Sequence, residues 1–214
     1  MYQTRHLIKL CCLLSIIAIA IGCDGPSSSG NNTVTINPNT PAANQPAEKD
    51  LQPGLDKSPM DMSYYPVDYP KLKMTGSISE PPIARVIYSR PQKNNRTIFG
   101  DLIKYGSVWR LGANEATEIE FFRDVNISNK KVSKGRYVIY CVPQDNKWTL
   151  MLNTDLYTWG LKIDSTKDEY KFTIPISKTR FPYELFTMEF EKAGKGMQLN
   201  MEWDSVKASL PITW

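Results

Sequence analysis

At 214 residues with 41% hydrophobic content, the chain is long enough for one domain with a substantial core. Its net charge of +4 is modest and no Lys/Arg block reaches the density of a nucleic-acid patch; Lys130, Lys131, Lys134 and Arg136 bracket one turn and read as a solvated hairpin tip. The single histidine is His6, in the first segment, so a Ser-His-Asp triad, a Cys-His pair and any His-bearing zinc site are excluded from the rest of the chain.

Residues 1–22 read as a secretory signal. Arg5 and Lys9 precede an apolar run of 12 residues, Leu10 to Ile21, followed by Gly22 and Cys23. At about 1.5 Å per helical residue the run falls short of a bilayer core of about 30 Å, which suits a cleaved signal better than a permanent span. Ala20-Ile21-Gly22-Cys23 resembles the lipobox of bacterial lipoproteins, with Ala20 where a larger aliphatic residue is usual. Cleavage would leave Cys23 as the acylated first residue, and the membrane as the first partner; an ordinary signal peptide with an incidental cysteine is the alternative. Each buried CH₂ contributes about 0.8 kcal/mol, so several acyl chains hold firmly where one would not. The expected location is the cell envelope, on the periplasmic face or the cell surface. Cys11 and Cys12 leave with the signal, and so do Arg5 and Lys9, which lowers the net charge from +4 to +2.

Residues 23–68 are rich in Ser, Asn, Thr, Pro, Ala and Gln, and hold six acids against two bases. Such a stretch buries too little apolar surface to offset its ordering entropy, and it is expected to be a disordered tether. A flexible coil of about 40 residues spans roughly 35 Å.

Residues 69–214 carry repeated period-2 alternation, the mark of half-buried antiparallel strands. Strands are predicted at 83–90, 117–123, 136–142, 147–153, 170–176, 186–190, 197–203 and 206–212. The segment 136–142 is apolar on both faces and should be central. Pro143 to Asn146, Ala193 to Gly196 and Asp204-Ser205 are predicted turns, and Pro211 marks an edge. Ile98–Lys104 is the one stretch that looks helical, as a single short turn. The fold class is all-β: an antiparallel β-sandwich of about 8–10 strands with a long loop containing Gly, Trp and Arg. Cys141 sits in an apolar strand as a lone thiol and reads as a small core hydrophobe with no internal disulfide partner.

One region breaks the alternation. It contains Tyr88-Ser89-Arg90-Pro91, then Ile98-Phe99-Gly100, then Tyr105-Gly106 and Val108-Trp109-Arg110, and then Gly112-Ala113-Asn114-Glu115-Ala116-Thr117. With Gly135, Tyr137 and Trp159-Gly160, these pieces resemble the DUF2911 family, a group of bacterial envelope proteins of unknown function. The resemblance covers roughly Ala84 to Trp214. It implies an envelope setting and supplies no catalytic residue, cofactor or metal.

The residues themselves suggest a binding site. Arg90 and Arg110 are fork donors suited to carboxylate or phosphate, with Asp101 and Glu115 as partners for them. Asn114 can donate and accept, and Tyr105, Trp109 and Trp159 offer flat faces. Together they fit a small polar ligand, a glycan or an envelope protein, bound without catalysis. A carboxylate-based hydrolase using Asp101 and Glu115 is a second reading, because glycosidases place two carboxyl groups about 5 to 9 Å apart. A third is purely structural: the loop folds over one end of the sandwich, Trp109 plugs the core, Arg90 or Arg110 pairs with Glu115, and Gly106, Gly112 and Asn114 supply turns. Glu118 and Glu120 share one strand face and read as a solvated surface.

Overall fold

The computed structural model describes residues 57–214. The expected signal at 1–22, the expected lipidation site Cys23 and most of the expected tether lie outside the described residues. Among the described residues, nine strands, one short helix and a 3₁₀ turn at Ser165–Lys167 follow one another. They are β1 (Met60–Tyr65), α1 (Tyr69–Met74), β2 (Ala84–Ser89), β3 (Glu118–Phe121), β4 (Val125–Ile127), β5 (Lys130–Val132), β6 (Gly135–Pro143), β7 (Lys147–Asn153), β8 (Asp168–Ala193) and β9 (Gly196–Ile212). Seven form one antiparallel sheet in the order β1-β2-β3-β6-β7-β8-β9, and β4-β5 is a separate hairpin. The fold is all-β, as the alternation predicts.

The alternation becomes burial directly. Phe186, Met188 and Phe190 on β8, and Met197, Leu199, Met201 and Trp203 on β9, all point into the core. β6 is buried on both faces. Tyr137, Ile139 and Cys141 belong to the core cluster, while Val138 and Tyr140 are buried on the other face.

The sheet curls until it nearly closes. The first part of β8 pairs with β7, from Asp168 opposite Asn153 to Pro175 opposite Lys147. Register shifts at Lys178/Tyr183 and Tyr183/Thr187 then bend it, as bulges do. Its far half swings back to the opposite edge, where Phe190 N donates to Ser63 Oγ (3.2 Å), Phe186 N to Pro91 O (3.0 Å) and Lys93 N to Glu184 O (2.7 Å). The two layers of the expected sandwich are thus opposite walls of one folded sheet.

Several local expectations change. Met60–Tyr65, placed in the tether by composition, is the edge strand β1, paired along its length with β2. Only part of its surface is buried, so its sequence carries a weak signal. Asp204 is no turn. It lies inside β9 opposite Tyr183, with φ +50, where the extra residues of the irregularity belong to β8, and β9 runs on as a single strand to Ile212. Ile98–Lys104 is a tight non-helical turn closed by Gly100 N to Ile103 O and Ile103 N to Ile98 O, both 2.8 Å, which drives Ile98 and Ile103 into the core. The helix is instead α1, opened by Pro70 in its first turn and burying no residue. The basic cluster is not one hairpin tip: the β4-β5 tip is Ser128 and Asn129, both left-handed, while Lys130 and Lys131 lie on β5, Lys134 in the connection to β6, and Arg136 on β6 paired with Glu118.

Candidate functional site

The segment 105–117 starts at the surface, with 105–108 exposed, and from Trp109 to Thr117 it is mostly buried. β3 pairs with β6 only as far as Glu118 opposite Val138. Ile139 N then bonds Thr117 O (2.9 Å), and Trp109 and Cys141 exchange two backbone hydrogen bonds of 2.8 and 2.9 Å. Trp109 therefore continues the ladder beyond the end of β3. Left-handed Leu111 (φ +55) and Asn114 (φ +57) turn the chain, and Thr117 Oγ1 ties it by donating to Leu111 O at 2.5 Å.

Trp109 is a core wedge. Its ring lies 5.0 Å from Phe186, 5.6 Å from Trp148, 5.7 Å from Phe99 and 5.8 Å from Trp203, the last stacked. Only 7% of the residue is exposed. Its Nε1 donates to Gly112 O at 3.3 Å.

The other sequence-selected residues scatter. Arg90 clamps the seam between the two ends of the sheet: it pairs with Asp61 (3.2 Å) and donates to Phe186 O and Thr187 Oγ1. Its acidic partner is thus neither Asp101 nor Glu115. Asp101 is exposed and pairs with Lys104 at 3.5 Å. Tyr105 packs its ring against Gly100. Desolvation and then the nearby Asp145 raise its phenol above the ordinary range. Glu118 pairs with Arg136 (3.6 Å) and Glu120 with Arg85, so that strand face is ion-paired.

Asn114 serves the turn, and Trp109, Arg110, Glu115 and Trp159 divide between two cavities that share a wall. Trp109 and Arg110 line a cavity of about 670 Å³, together with Pro91, Arg96, Leu102, Ile103, Val108, Gly112, Ala113, Gly160, Leu161, Lys162, Ile163 and Trp203. Glu115 and Trp159 line a second of about 550 Å³, together with Met60, Ile87, Ala116, Glu118, Arg136, Tyr157 and Thr158. The wall between them is two loop segments in contact. Gly160, at φ +78, lies so close that a Cβ there would stand 3.0 Å from Arg110 Cδ and 3.1 Å from Ala116 Cα. Asp101 and Glu115 share neither cavity.

A buried polar network holds the base of the 154–167 loop. Asn153, fully buried, donates to Asp164 O (2.9 Å) and Asp168 Oδ1 (2.7 Å), and its Oδ1 accepts from Asp155 N (2.7 Å). Tyr140 donates its hydroxyl to Asp168 at 2.6 Å. Desolvation, and next Asp168, push the Tyr140 phenol far above its ordinary range. Sequence reasoning missed Arg96, Lys162 and Trp203 in the first cavity, and Tyr157, Thr158 and Arg136 in the second. The run Leu156-Tyr157-Thr158-Trp159-Gly160-Leu161 is unusually apolar for a connection and is the local signal that marks this loop.

Among the described residues, no group of three or more His, Cys, Asp or Glu side chains could hold a metal ion. No curated protein and no solved structure matches the chain. A family model does: "Protein of unknown function (DUF2911)", over residues 70–212. Its span takes in β2 to β9 and, apart from Met60, the residues that line both cavities, and the chain belongs to the DUF2911 family.

Proposed function

We propose that this chain is a lipid-anchored binding module of the cell envelope, acting without catalysis, whose domain takes a small anion with an apolar body. The anchor rests on the Ala20 to Cys23 pattern and the tether behind it. The observation that carries the ligand class is the lining of the larger cavity. Its floor is apolar, with Trp109, Trp203 and Ile103, while Arg96, Arg110 and Lys162 lie around it and no carboxylate does. An apolar body would stack on the rings as a carboxylate or phosphate meets the cations. The hydrolase reading gains no support, because Asp101 is an exposed partner of Lys104 and lies apart from Glu115.

The test is calorimetry and thermal shift on the full chain with medium-chain fatty acids, aromatic carboxylates and alkyl phosphates, against their neutral amides and alcohols. An acid at a hundred times its Kd should stabilise by about 2.7 kcal/mol, a rise of roughly 5 to 10 °C. Arg110→Gln with Lys162→Gln should weaken it about tenfold or more. Neutral analogues binding equally well would refute the assignment. If no compound binds, the purely structural envelope role stands instead.

A further inference from the structure

We infer that the second cavity, beneath Tyr157 and Trp159, is a site for a neutral saccharide. Tyr157 is 83% exposed and Trp159 48% exposed, two residues apart on the 154–167 loop. Rings held in water gain nothing for the fold. Tyr157 is also held at φ +64, a conformation that bulky side chains rarely adopt. Backbone strain of this kind, spent on presenting a ring to solvent, is a mark of a working surface rather than a packing solution.

Beneath the rings lies a rigid polar floor. Glu118 and Arg136 project from β3 and β6, neighbouring strands of the sheet, and pair at 3.6 Å with their side chains only 20% and 34% exposed. The pair presents carboxylate acceptors beside guanidinium donors, already oriented. Glu115 and Thr158 add an acceptor and a hydroxyl at the margin. A pyranose matches both halves: its C–H face stacks on an aromatic ring, and each rim hydroxyl needs one donor and one acceptor. Other classes fit worse. Two carboxylates disfavour an anion, Arg136 disfavours an organic cation, and a purely apolar ligand would desolvate the Glu118–Arg136 pair and Glu115 while offering them no hydrogen bond. The site is chemically distinct from the cation-lined cavity behind the Gly160 wall and stands independently of it.

The full chain should be tested on an array of neutral gluco-, manno-, galacto- and N-acetylglucosamine oligosaccharides, with calorimetry on the best binder. Trp159→Ala should weaken that binder about tenfold or more, and Tyr157→Ala several-fold. Phe181→Ala, an exposed aromatic elsewhere (68%), should leave it unchanged. Trp159→Ala should keep any binding of small anions, which separates this site from the other. Because both rings are exposed, the variants should melt with the wild type. No neutral glycan bound, binding only of acidic or amino sugars, or binding that survives loss of both rings would each overturn the inference.

Discussion

Trp109→Ala is the sharpest test of the view that the loop is anchored in the core by Trp109. The ring is 93% buried by its 7% exposure and touches four other rings at 5.0 to 5.8 Å. Truncating a buried Trp costs about 3–5 kcal/mol, from lost transfer energy and the void left behind. The void would open into the adjacent cavity, where water can enter, so the lower end is expected. For a domain of this size each kcal/mol moves Tm by about 2–4 °C, so the variant should melt roughly 6 to 20 °C lower. Trp109→Phe keeps a ring in the cluster and loses the Nε1 bond to Gly112 O, and should cost only about 1–2 kcal/mol. Guanidinium denaturation followed by near-ultraviolet circular dichroism, alongside calorimetric melting, measures both. A Tm within about 2 °C of wild type for Trp109→Ala would refute the wedge, since no buried Trp is removed so cheaply.

Gly160→Ala should destabilise by about 1–2 kcal/mol through its left-handed backbone, and should shift the wall beside Arg110 and Ala116; denaturation and the two binding assays would detect this. Burial pushes the Tyr88 phenol from its ordinary 10.0 up to about 12. The folded state thus holds that proton more tightly, so its contribution is fully present below about pH 10 and lost as pH rises to about 12. Phenolate absorbance should therefore rise together with unfolding in that window, and stability that stays flat across it would contradict the buried assignment. Burial also raises the Cys141 thiol well above its usual range, so alkylation mapped by mass spectrometry should spare Cys141 in the native chain and label it on unfolding. Cys23→Ala should release the chain from the membrane fraction while leaving its melting temperature unchanged.

Much of the fold was legible because burial in a sheet acts residue by residue. Met197, Leu199, Met201 and Trp203 face inward, and the period of two declares it. Ala193 to Gly196 announced a turn by composition, and the hairpin between β8 and β9 lies there. Asp204-Ser205 announced another and is a left-handed kink within β9, because a polar break in alternation has the same local appearance whether the chain reverses or only kinks. β1 escaped notice because an edge strand buries too little to impose a pattern.

The candidate site was legible only in its parts. The run of Gly, Trp and Arg around Trp109 marked the right segment, and the family motifs lie along it. What its members touch was decided elsewhere: Arg90 met Asp61 and Thr187, and Asp101 met only Lys104. Trp109 and Arg110 fell on one side of the Gly160 wall, Glu115 and Trp159 on the other. These outcomes follow from contacts across the chain, such as the bend that brings Glu184 O to Lys93 N. Most strands, their inward faces and the family were within reach of the sequence alone, since each is written in neighbouring residues; the short β4 and β5 and the edge strand β1 were not. Which side chains share a cavity was settled by the curl of the sheet and the meeting of two loops, and contacts of that range leave no local period to read.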